Sequence, residues 1–168
     1  MRHFIGWVFY LFIIILLNFR NRVSVDFNGL CVWQAYWNTV LEDTRRQPPD
    51  YERVLYVLKD IHEGICEVRK EESDLISEII DIKFITQQVS VGAYTWENSK
   101  RLVLAVVDIV KRIQAPARVA AMQTKWGVLK QIMEVTPDSE GPVALVKALE
   151  FLSWCMRTLR IDEANARW

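Results

Sequence analysis

The sequence predicts an all-α protein, a multi-helix bundle preceded by an N-terminal hydrophobic helix. From Val32 onward the apolar residues recur at three- and four-residue steps and never alternate for long, which is the period of helices rather than strands. The five prolines fall between the apolar stripes, where they break or begin helices. The chain has 168 residues, 51% of them hydrophobic and 25% charged, enough for one domain with its own core. That balance excludes disorder, collagen-like repeats and a disulfide scaffold.

The first element is the segment from Phe4 to Leu17, uncharged and almost wholly apolar, with Arg2 before it and Arg20 and Arg22 after it. Residues 1–22 form a hydrophobic segment and candidate membrane anchor. As a helix over residues 4–19 it would measure about 24 Å at 1.5 Å per residue, short of the roughly 30 Å hydrocarbon core. A thinned bilayer or snorkelling of Trp7 and the arginines would make up the difference. No small-x-small cleavage site follows it, so a signal peptide is disfavoured. A core helix would need protein on every side. The first thirty residues set Arg2, Arg20 and Arg22 against Asp26, a net +2, and leave −2 for the rest. With the heavier arginine load after the segment, an inserted anchor places the body in the cytosol. The expected localisation is membrane-associated with a cytosolic body; the alternative is cytoplasmic.

The body follows over residues 32–168. Val32, Trp33, Tyr36, Trp37, Val40 and Leu41 form the stripe of a first helix, which Pro48 and Pro49 close off. A second helix from Tyr51 to Arg69 puts Tyr51, Val54, Leu55, Leu58, Ile61 and Ile65 on one face. Ser73 or Asp74 can cap a third helix through Leu75, Ile76, Ile79, Ile80 and Ile82, although its β-branched run leaves a strand as the rival reading for Ile79 to Val91. Thr95 caps a fourth helix to Gln114, with Glu97 and Arg101 spaced as an i, i+4 pair and Leu102, Val103, Val106, Val110 and Ile113 inward. Pro116 opens a fifth, carrying Val119, Met122, Trp126, Leu129, Ile132 and Met133. Pro142 opens the last, whose apolar residues from Val143 to Leu159 cover more than half its circumference, so it should lie between neighbours.

Zero net charge argues against nucleic acid as a partner. Cys31, Cys66 and Cys155 are odd in number and form no C-x-x-C pair, which reads as buried free thiols in a reducing compartment. His62 is the body's one histidine. His62-Glu-Gly-Ile-Cys66 has the outline of H-E-x-x-H, but no third ligand is evident, and a polar-face histidine beside Asp60 and Glu63 is the simpler reading. Glu78 and Asp81 are spaced for one helix face, and solvated surface explains them equally well. The six glycines form no phosphate-cradling loop. No catalytic residue, cofactor or metal is predicted. Seven tryptophans, at 7, 33, 37, 96, 126, 154 and 168, read as core before recognition groove.

Five segments in order carry a family resemblance: Trp33-Gln-Ala-Tyr-Trp37, Gln47-Pro-Pro-Asp-Tyr51, Gly92-Ala93, Gln114-Ala-Pro-Ala-Arg118 and Arg160-Ile-Asp-Glu-Ala-Asn165. Together they resemble the conserved domain of the T-complex protein 11 family. The resemblance marks Trp33, Trp37, Pro48, Pro49, Tyr51, Gly92, Ala115, Pro116, Arg118, Asp162 and Asn165 as motif positions, structural or interacting, without assigned roles. It implies a non-enzymatic helical signal-transduction protein or scaffold with unknown protein partners, linked to cyclic-AMP and protein kinase A signalling and, in animals, to sperm function. It also implies that the family's domain runs past Trp168, so that this sequence looks like its N-terminal part, with helix faces left exposed. The alternative is a single-pass, receptor-like membrane protein with a cytosolic helical domain.

Overall fold

The computed structural model describes residues 27–166. Among them the protein is all helical: α1 (Phe27–Thr44), α2 (Glu52–Val68), α3 (Ser73–Ile79), α4 (Ile82–Ser90), α5 (Trp96–Ile113), α6 (Pro116–Val135) and α7 (Gly141–Ala166), with 3-10 turns at Lys70–Glu72 and Asp138–Glu140. The predicted hydrophobic helix and anchor, with Trp7 and Trp168, lie outside the described residues. Among the described residues no helix is long and apolar enough to cross a membrane.

The compact unit that holds the core begins at Trp37, inside α1. Its axis is α7, whose 26 residues reach about 39 Å at 1.5 Å each. This helix packs against α2, α5 and α6, while α3 and α4 lie on α2. Ala144, Leu145, Ala148, Leu149, Phe151, Leu152, Cys155, Met156 and Leu159 of α7 are all buried, as the width of its apolar stripe required. Val54, Leu58, Ile61 and Ile65 of α2 and Val103, Val106, Val107 and Val110 of α5 complete the centre. Trp37, Trp96 and Trp126 are buried and Trp33 and Trp154 half-buried, so these five described tryptophans serve mainly as core. Phe151 stacks between Trp126 and Trp154 at 5.9 and 6.2 Å, binding α6 to α7.

Local chemistry explains the ends of the helices. The Thr95 hydroxyl accepts the Asn98 N–H at 3.3 Å and starts α5, as predicted. Glu97 meets Lys100 at 2.9 Å and Arg101 at 3.4 Å on the first turn. Ala115 is extended directly before Pro116, because the proline ring clashes with a helical predecessor. Asp50 accepts the Glu52 N–H at 2.9 Å and opens α2.

Three expectations are corrected. The first helix begins at Phe27, not Val32. The Ile-rich stretch is neither one helix nor a strand: α3 ends at Ile79, Ile80 leaves helical geometry, and the Asp81 carboxylate accepts the Phe84 N–H at 2.9 Å to start α4. A second cap there offsets the break, and crowding of adjacent β-branched side chains weakens the continuous helix. The residue at the cap of α3 is Glu72, with no side-chain cap bond, because the Lys70–Glu72 turn carries the chain into the helix. Leu75 is 50% exposed, while Ile76, Ile80 and Ile85 take the buried positions.

Two glycines give opposite predictions. A Cβ on Gly141 would lie 2.8 Å from Cγ of Trp96, an anchored and buried ring, whereas one on Gly127 meets nothing within 4 Å. Gly141→Ala is expected to destabilise the fold by about 1–3 kcal/mol through overpacking. Gly127→Ala is expected to stabilise it by about 0.5–1 kcal/mol, since alanine loses less backbone entropy in a helix. Thermal denaturation of the two variants should therefore move the midpoint in opposite directions.

Candidate functional site

The sequence motifs come together in pairs. Pro48 and Pro49 are exposed in the turn between α1 and α2, and Tyr51 behind them is half-buried. Its ring stands edge-on to Tyr94 at 5.8 Å and 75°. Tyr94 is placed there by Gly92, whose φ of +69° ends the α4 turn in the left-handed region that glycine adopts without strain. Burial raises the hydroxyl pKa of both tyrosines.

A second pairing joins residues 44 apart. Nε and Nη2 of Arg118 donate to the two carboxylate oxygens of Asp162 at 3.2 and 3.1 Å, a two-point clasp between α6 and α7. The hydrogen bond to Asp162 holds the Arg118 guanidinium further above its ordinary pKa. One turn earlier, Nε2 of Gln114 donates to the buried Cys155 carbonyl at 3.2 Å. Ala115 and Pro116 set the bend that aims both side chains at α7. Asn165 is exposed, Trp37 buried and Trp33 half-buried.

His62 does not sit with Asp60 and Glu63 as expected. Asp60 accepts from Arg160 at 3.2 Å and Glu63 pairs with Lys59 at 3.8 Å. The imidazole instead turns to α3: the Ser77 hydroxyl donates to the Ser73 carbonyl at 2.8 Å, which leaves its oxygen to accept the His62 Nε2–H at 2.9 Å. Sγ of Cys66 lies 3.6 Å from the same nitrogen. Glu78 is exposed on α3, while Asp81 is spent as the cap of α4, so these carboxylates share no helix. Among the described residues no three His, Cys, Asp or Glu side chains gather into a cluster fit for a metal ion.

The thiols differ from the expectation of uniform burial. Cys155 is buried, Cys66 is intermediate and Cys31 is exposed, because only Cys155 lies on a helix face covered by several neighbours. Burial pushes the Cys155 thiol up to about 12. Iodoacetamide at pH 8 is therefore expected to alkylate Cys31 and to leave Cys155 intact until urea unfolds the chain, as mass spectrometry of the labelled protein would read.

The largest omission of sequence reasoning is Asp43, 1% exposed. Its carboxylate meets the Arg53 guanidinium at the start of α2 and Arg46 at 3.0 Å. Its carbonyl accepts the Asp50 N–H at 2.9 Å. The available signal was its place at i+3 from Val40, on the apolar side of α1.

Among the described residues, the motif side chains that pair form clasps between segments of the bundle. Against this geometry, the T-complex protein 11 family model matches residues 31–167. No curated protein and no solved structure matches the chain significantly.

Proposed function

The chain belongs to the T-complex protein 11 family, and on that premise we propose that it is a non-enzymatic helical signalling module or scaffold, acting through protein contacts in cyclic-AMP and protein kinase A signalling. The observation that carries the reading is the use of the motif residues. Tyr51, Gln114, Arg118 and Asp162 are all engaged in joining segments of the bundle, a role suited to shaping a surface. Val128 and Val135, 59% and 81% exposed on α6, offer apolar area for such contacts.

The test is calorimetric titration of the purified full-length chain with the purified regulatory and catalytic subunits of protein kinase A. Saturable binding to either, weakened at least tenfold in a Val128→Glu, Val135→Glu variant of unchanged helicity, is the expected result. Binding to neither removes the kinase link, and turnover in a small-molecule activity screen removes the non-enzymatic reading.

A second reading, a single-pass membrane protein with a cytosolic helical body, is favoured by the uncharged run from Phe4 to Leu17 and the arginines after it. Full-length protein released into the supernatant by a carbonate wash of membranes would overturn it.

A further inference from the structure

The side chains of His62, Cys66 and Ser77 converge on one point where α2 meets α3, and we infer that they form a binding site for a zinc-type divalent cation. His62 and Cys66 are four residues apart on α2, so one helical turn stacks them on the same face. A tetrahedral zinc ion lies about 2.3 Å from a thiolate and about 2.0–2.1 Å from an imidazole nitrogen, which separates the two ligand atoms by about 3.6 Å. The observed Nε2 to Sγ distance is 3.6 Å. Two donors on one helix are therefore already set at the bite of such an ion.

The third donor is the one that sequence spacing alone could not supply. Ser77 comes from α3, and its oxygen lies 2.9 Å from the same nitrogen. Its own proton is directed away, to the Ser73 carbonyl, so the lone pair that now accepts from Nε2 can turn to an ion once that nitrogen gives up its proton. A rotation of Ser77 that widens this distance by roughly half an ångström would bring the hydroxyl to ligand range, with the fourth position left to water. Ser77 is exposed and His62 half-buried, which gives an ion entry from solvent.

One thiolate and one imidazole select a borderline or soft d-block cation over Mg2+ or Ca2+, which take oxygen ligands. On binding, the Cys66 proton passes to solvent, and the imidazole proton that bonds Ser77 from Nε2 is exchanged through water for one on Nδ1, which leaves the Nε2 lone pair to the ion. With two strong donors and a hydroxyl, the ion exchanges readily, unlike one in a four-ligand structural site.

The experiment is titration of the reduced full-length chain with Co2+, which reports a thiolate ligand by its charge-transfer absorption and four-coordination by its visible bands. The expected result is one equivalent of absorbing Co2+, displaced by Zn2+. Affinity should fall at least tenfold in His62→Ala and in Cys66→Ser and several-fold in Ser77→Ala, with Cys31→Ser unchanged and helicity by circular dichroism preserved throughout. Absence of the absorption in the wild-type chain overturns the site. So does absorption that survives Cys66→Ser, persists at full affinity in His62→Ala, or vanishes in Cys31→Ser. Full affinity in Ser77→Ala overturns the third donor.

Discussion

Leu152→Ala is expected to lower the free energy of unfolding by about 3–4 kcal/mol, within the range measured for buried leucines. Leu152 is 0% exposed. It lies on α7, which packs against α2, α5 and α6. Walls contributed by separate helices cannot all close on the space left by the lost methyl groups, because each helix is also held by its other contacts. The cavity term therefore adds to the lost transfer energy. For a chain of this size the loss corresponds to a midpoint lower by roughly 10 °C. Chemical denaturation with an unchanged m-value is the measurement. Lys147→Ala, at an exposed position of the same helix, is the control and should stay within about 0.5 kcal/mol. A loss below about 1 kcal/mol for Leu152 would show that α7 is not the axis of the core.

The prominence of α7 was legible in the sequence, because an apolar stripe wider than half a helix has to be covered on more than one side. The starts of α5 and α6 were equally legible: Thr95 has a side-chain acceptor at the cap, and Pro116 lacks the N–H that a first turn leaves unused. What failed was the division between α3 and α4. Ile79, Ile80 and Ile82 keep an apolar rhythm across the break, and the one residue that decides it, Asp81, is flanked by isoleucines rather than by the polar run that normally announces a cap. Hydrophobic periodicity records burial, and burial continues there although the helix does not.

The side-chain pairings were legible only in part, and for a different reason. Arg118 and Asp162 were both picked out, yet nothing local ties residues 44 apart, so their clasp is a property of the packed helices. Likewise His62 and Cys66 show their four-residue spacing in the sequence, while Ser77 joins them through the turn between α2 and α3. Spacing identifies donors on one helix; tertiary structure chooses the partner from the next.

Arg53→Ala is expected to cost about 3 kcal/mol, far more than the loss of an ordinary surface ion pair. The reason is its partner. Asp43 is 1% exposed, whereas the Arg53 side chain retains 20% of its exposure. Removing the arginine leaves a carboxylate with its desolvation already incurred and with Arg46, 60% exposed, as its remaining cation in the cluster. The loss also loosens the turn from Arg45 to Asp50, whose closing bond runs to the Asp43 carbonyl. Replacing both partners, as in Asp43→Leu with Arg53→Met, should recover most of the loss, because the buried charge goes with its counter-ion. A double-mutant cycle on Lys59 and Glu63, 63% and 58% exposed, gives the contrast and should return about 0.5 kcal/mol or less. A coupling that small between Asp43 and Arg53 would mean that water or Arg46 neutralises the buried carboxylate. The junction of α1 and α2 would then rest on the prolines, the apolar contacts and the backbone bond from Asp50 to the Asp43 carbonyl.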